Sequence, residues 1–136
     1  MSLYTAATAA RLARLGRRGG ASDVAGIVSL GFDFDVGDET LAREVLRRAA
    51  LDPGLVVHSG GGIHVWVLLD RPLMFTSADA RDRWSTVVRA VWEAVDAVVR
   101  DMGVADRFRG GKLDPTFDLP RVLGLGGTLN YKQREP

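Results

Sequence analysis

An α+β sandwich, with one antiparallel sheet covered by two helices, is the fold class this chain predicts, and three observations predict it. Strict alternation in Phe32-Asp33-Phe34-Asp35 marks a strand. Two short apolar runs flank the glycine turn Ser59 to Gly62 and mark a hairpin. Two further segments, one after Asp38 and one after Ser77, carry apolar residues at helical spacing. Read in order, they give strand, helix, strand, strand, helix and a final short strand. That is the order of an RRM-like or ferredoxin-like domain.

Each element has its own signal. Ala6 to Arg18 sets Ala10, Leu12 and Leu15 among arginines and predicts a short amphipathic helix ended by Gly19 and Gly20. Val24 to Val36 is the first core strand, with Ile27, Val28 and Leu30 leading into the Phe/Asp alternation. Asp38 is an N-cap candidate for a helix reaching Ala50, with Leu41, Val45, Leu46 and Ala49 on one face. Asp52-Pro53-Gly54 turns the chain into the strand Leu55 to His58, and the hairpin returns as Ile63 to Leu69, ended by Arg71-Pro72. From Ser77 or Ala78 to Met102 a long helix turns Trp84, Val88, Val91, Trp92, Val95 and Val99 inward, and Gly103 ends it. The glycine-rich remainder offers Leu119 to Leu125 and Thr128 to Tyr131 as short ordered candidates. With no repeat or low-complexity linker, the chain reads as one domain over residues 1–136, an N-terminal helix and loop (1–23) preceding an RRM-like core (24–136).

Composition narrows the function classes. The chain has 136 residues, 46% of them apolar and 26% charged, which suits a globular core. With no cysteine there is no disulfide framework, thiolate zinc site or cysteine nucleophile. Arg11 and Arg14 interrupt the N-terminal apolar stretch, unlike a signal peptide, and no run approaches the roughly 20 apolar residues of a membrane span. The expectation is a soluble, cytoplasmic protein without a membrane partner. A net charge of +1 makes any nucleic-acid contact local, at Arg11, Arg14, Arg17 and Arg18 or at Lys132 and Arg134; the alternative is a solvated helix face.

Three stretches carry candidate chemistry. Alternation puts Asp33 and Asp35 on one face of their strand and Phe32 and Phe34 on the other, and paired carboxylates suit magnesium or manganese. Acids on a strand's solvent face are also common. In Ser59-Gly60-Gly61-Gly62-Ile63-His64 the glycines let backbone N–H groups approach an anion, with Ser59 and His64 as donors at its edges; a plain hairpin turn has the same composition. The tail brings Asp114, Asp118, Arg121 and Lys132, carboxylate and cations that could serve a metal-bound triphosphate or simply a surface loop.

Together these stretches resemble the motifs of the archaeo-eukaryotic primase (AEP) superfamily, particularly the primase-polymerase (Prim-Pol) domains of phage and plasmid replication proteins. Phe32-Asp33-Phe34-Asp35 is similar to the family's Asp-x-Asp strand and Ser59 to His64 to its Ser-Gly-x-Gly-x-His turn. Asp114 to Lys132 is similar to its final aspartate followed by Arg and a Gly-Thr-x-Asn-x-Lys tail, and Arg17-Arg18-Gly19-Gly20 resembles a stretch before the first motif. The resemblance implies a minimal AEP core performing template-dependent nucleotidyl transfer in DNA replication. Its partners would be DNA template and primer, nucleoside triphosphates and a helicase module or protein.

By the same resemblance Asp33, Asp35 and Asp114 would hold two magnesium or manganese ions, with Asp118 the alternative third carboxylate. Ser59, Gly60, Gly61, Gly62 and His64 would meet the nucleotide phosphates, assisted by Arg121, Asn130 and Lys132. In this two-metal chemistry one ion lowers the pKa of the attacking hydroxyl and the other stabilises the leaving pyrophosphate. The chain departs from the family at Gly124-Leu125-Gly126-Gly127-Thr128, where relatives usually read Arg-Leu-Pro-Gly-Thr, so that either catalysis is weakened or another cation, Arg121 or Arg109, takes over. It is also short for such a domain, as a minimal core or a fragment would be.

Two other classes share this topology. A rolling-circle endonuclease needs metal-binding histidines one residue apart, whereas the histidines here are His58 and His64, followed by Trp66. A catalytically weakened or non-catalytic RRM-like module would stack bases on exposed strand aromatics, yet Phe32 and Phe34 lie opposite the acids.

Overall fold

The computed structural model describes residues 1–17 and 19–119. Its elements are β1 (Ser2–Leu3), α1 (Ala6–Leu15), β2 (Gly26–Phe34), α2 (Glu39–Arg48), β3 (Leu55–His58), β4 (Ile63–Met74) and α3 (Ala78–Asp101). The strands form one antiparallel sheet in the order β1-β2-β4-β3. From β2 onward this is the arrangement expected of a ferredoxin-like or RRM-like α+β domain, with β2 and β4 central and β3 at one edge. The other edge is taken by β1, at the start of the chain, which the sequence reading left without a strand. Most of the expected final strand, at Leu119 to Leu125 and Thr128 to Tyr131, lies outside the described residues.

The core follows the strand alternation. Phe32 and Phe34 on β2, with Ile63, Val65 and Val67 on β4, turn to one face and pack with Leu41, Ala42, Val45 and Leu46 of α2 and Val95 and Val99 of α3. Asp38 caps α2 by accepting the Leu41 N–H at 3.0 Å, and Ser77 caps α3 by accepting the Ala80 N–H at 3.1 Å. The Asp38 carboxylate also suits the positive end of the helix dipole.

Three expectations need correction. The first helix ends at Leu15, because Gly16 takes the left-handed conformation (φ 56°) before Gly19 and Gly20 are reached. β4 does not stop at Arg71-Pro72 but runs through to Met74. Only Val28 separates the paired Ile27 and Ser29 on β2, whereas Leu69 to Pro72 separate their partners Leu68 and Leu73 on β4. Pro72, which has no N–H to give the ladder, sits in this bulge. Trp84 does not point inward: it is 36% exposed on the first half of α3, and the helix buries Val95, Asp96 and Val99 further along instead.

Candidate active site

β2 ends at Phe34, so Asp33 is its last residue turned away from the helix-covered face, and Asp35 stands in the exposed bend that follows. Asp33 pairs across the sheet with His64 of β4, and the His64 Nε2 lies 3.5 Å from the Asp33 carboxylate. His64 and Trp66 share the face opposite the core, as alternation predicts, but that face is not open. His64 is 9% and Trp66 6% exposed, and their rings meet edge to face with centroids 5.9 Å apart. The His64 Nδ1 is buried and meets no hydrogen-bond partner among the described residues. A buried donor or acceptor without a partner is costly.

The glycine turn lies against the acidic bend. Gly62 comes so close to β2 that a Cβ there would stand 2.5 Å from the Phe34 carbonyl oxygen and 3.1 Å from the Asp35 Cα. Glycine is therefore what lets the turn and the end of the Asp-x-Asp stretch touch. Gly60 uses its freedom differently, taking φ 85° at the tip, with Gly61 exposed beside it. Ser59 braces the turn: its hydroxyl accepts from the Gly62 N–H at 3.1 Å and donates to the Gly62 carbonyl at 3.0 Å. That hydroxyl, expected at the edge of a phosphate, is engaged within its own loop.

The third stretch arrives from the far end of the chain. Asp114 forms a β-bridge with Asp33, and residues directly opposite in such a bridge carry side chains on the same face with Cβ atoms about 5 Å apart. Of the two candidates for the third carboxylate, Asp114 is thus the one brought to Asp33. Asp118 lies further along, beside Ser29, Gly31 and Trp66. Arg109, the candidate replacement cation, is exposed in a short turn after α3. Arg121, Asn130 and Lys132 lie outside the described residues.

What holds Asp114 in place escaped the sequence reading. Asp96, 4% exposed on α3, accepts the Leu113 N–H at 3.0 Å and pairs with Arg100 at 2.7 Å. The Trp92 indole donates to the Asp114 carbonyl at 3.0 Å, and the Thr116 hydroxyl donates to the Gly31 carbonyl at 2.7 Å. Phe117 packs against Trp92 and lies under the Arg89 guanidinium. One signal for this was present: Asp96 falls on the apolar stripe of Trp92, Val95 and Val99, where a charge needs a partner.

The donors suit a hard divalent cation. Asp33 and Asp114 face each other across the bridge, partly buried, with Asp35 in the exposed bend that follows, and carboxylates are the ligand type such a cation takes. Among the described residues no three His, Asp or Glu side chains converge into one ready ligand cluster, so water or phosphate oxygens would complete the coordination, as magnesium usually requires. Near the site, Asp38 is held below the usual carboxylate range by the Leu41 N–H and then by Arg107, 3.1 Å away, which ties the loop after α3 to the start of α2. Among the described residues no helix is long and apolar enough to cross a membrane. Comparisons with protein-family models, curated proteins and solved structures found no match.

Proposed function

We propose that this chain performs template-dependent nucleotidyl transfer, as a primase-polymerase of the archaeo-eukaryotic type. The observation that carries the reading is the Asp33–Asp114 bridge, which brings the first and last acidic motifs of the resemblance to one point of the sheet. His64 beside Asp33, and the glycine turn packed on Phe34 and Asp35, support it by drawing the second motif to the same place.

In this reading Asp33 and Asp114, with Asp35 from the bend, hold the cations. Magnesium or manganese there supplies a lowered pKa at the attacking hydroxyl and charge stabilisation at the leaving pyrophosphate. His64, positioned by its pairing with Asp33, donates a hydrogen bond to a phosphate oxygen of the incoming nucleotide. The turn at Gly60 and Gly61 lets that phosphate approach the backbone closely, and Ser59 keeps the turn in shape. DNA template and primer, with nucleoside triphosphates, are the substrates, and a helicase module or protein is the fitting partner in replication.

The test is incorporation of labelled nucleotide on a primed and an unprimed DNA template, with manganese and magnesium in separate reactions. Activity is expected with wild type and none with Asp33→Ala or Asp114→Ala. An inactive wild type that still binds single-stranded nucleic acid would replace the proposal with a binding module. Strand nicking would replace it with an endonuclease.

A further inference from the structure

Residues 112–118 have no regular strand to fix their register against the sheet. The isolated bridge at Asp33 is flanked by hydrogen bonds from side chains, and two of these come from adjacent turns of α3. A buried carboxylate is a costly way to fill a position on an apolar stripe, since its desolvation has to be offset by bonds of good geometry. Asp96 makes two of them, and the one to Leu113 acts on the residue next to Asp114. Hydrogen bonds to an ionised acceptor are shorter and stronger than neutral ones, so this contact resists slippage of the segment.

We infer that Asp96, seconded by Trp92, is a positioning residue for the candidate centre: it latches Leu113 so that Asp114 meets Asp33, and thereby sets the centre's affinity for a divalent cation. The inference rests on the nucleotidyl-transfer reading and deepens it. Residues that orient metal ligands typically change metal affinity 10- to 100-fold, roughly, when removed.

The experiment titrates manganese alone into nucleotide-free protein and counts free ion by electron paramagnetic resonance, with circular dichroism reporting the fold. Asp96→Ala is expected to raise the manganese Kd about tenfold or more. Asp96→Asn should restore most of the affinity, because its amide oxygen can accept the same Leu113 N–H. Both variants give up the charge pair with Arg100, so the rescue separates positioning from stability. A folded Asp96→Ala protein with the wild-type Kd overturns the inference. If that variant does not fold, Trp92→Phe decides: it removes the donor to Asp114 and keeps the ring, so weaker manganese binding supports the latch and unchanged binding sinks it. Wild-type protein that binds no manganese removes the nucleotidyl-transfer reading together with the latch, whereas wild-type binding with unaltered variants removes the latch alone.

Discussion

His64 combines three observations at one side chain: burial, a carboxylate 3.5 Å from Nε2, and an Nδ1 without a partner among the described residues. Its pairing with Asp33 orients the ring, and in the proposed reaction the ring would donate to a phosphate oxygen of the nucleotide. A charge-assisted contact of this kind is worth about 1.5 to 3 kcal/mol, so His64→Ala should weaken nucleoside triphosphate binding roughly 10- to 100-fold. Manganese affinity in the absence of nucleotide should be little changed, because the carboxylates remain. Isothermal titration with and without nucleotide measures both, and loss of manganese binding in the nucleotide-free variant would make His64 a metal ligand instead. Alternation in the sequence was enough to set Asp33 opposite Phe32 and Phe34, and His64 and Trp66 opposite Ile63 and Val65. It could not show that Asp33 and His64 face each other, because that depends on which residues of two distant strands pair.

At the scale of elements, the end of α2 holds a conformation its sequence does not favour. The Leu51 N–H reaches the Leu46 carbonyl at 2.9 Å and the Ala50 N–H reaches the Arg47 carbonyl at 3.1 Å, the paired bonds of a Schellman ending, with Ala50 at φ 57°. A left-handed alanine costs on the order of 1 kcal/mol that glycine avoids, partly offset by the greater freedom of glycine in the unfolded chain. Ala50→Gly should therefore stabilise the protein by about 0.5 kcal/mol, raising Tm by a degree or more. Thermal denaturation checks this, and a lower Tm would mean that the Ala50 methyl contributes packing that outweighs its strain. The helix starts were legible in the sequence: Asp38 caps α2 as expected, and apolar spacing placed the start of α3 at Ser77 or Ala78, where the structure adds a Ser77 cap. The end of α1, the course of β4 through Pro72 and the outward Trp84 were not. Each depends on what lies beside the element: a left-handed glycine, a bulge opposite Val28, and a stretch of α3 that buries little of its surface.

Across the whole molecule, the candidate centre draws on β2, β4 and the segment after α3, so cation binding there would tie together parts of the chain that separate on unfolding. A ligand that binds only the folded state at ten times its Kd stabilises that state by about 1.4 kcal/mol. Adding manganese at that excess should raise the wild-type Tm by about 5 °C. The Asp33→Ala and Asp114→Ala proteins should lose the rise, and a rise preserved in both would place the cation elsewhere. By itself the sequence determined the α+β class, the strand and helix order from β2 to α3, the Asp38 cap and the two-sided character of β2 and β4. These follow from periodicity and local hydrogen bonding, which neighbouring residues suffice to specify. Only the tertiary structure decided that β1 closes the sheet edge, that Asp114 and not Asp118 meets Asp33, that Ser59 spends its hydroxyl within its own turn, and that Asp96 and Trp92 hold the last segment in place. Those outcomes rest on strand register and on contacts between residues far apart in the chain, which hydrophobic patterning along one segment does not encode.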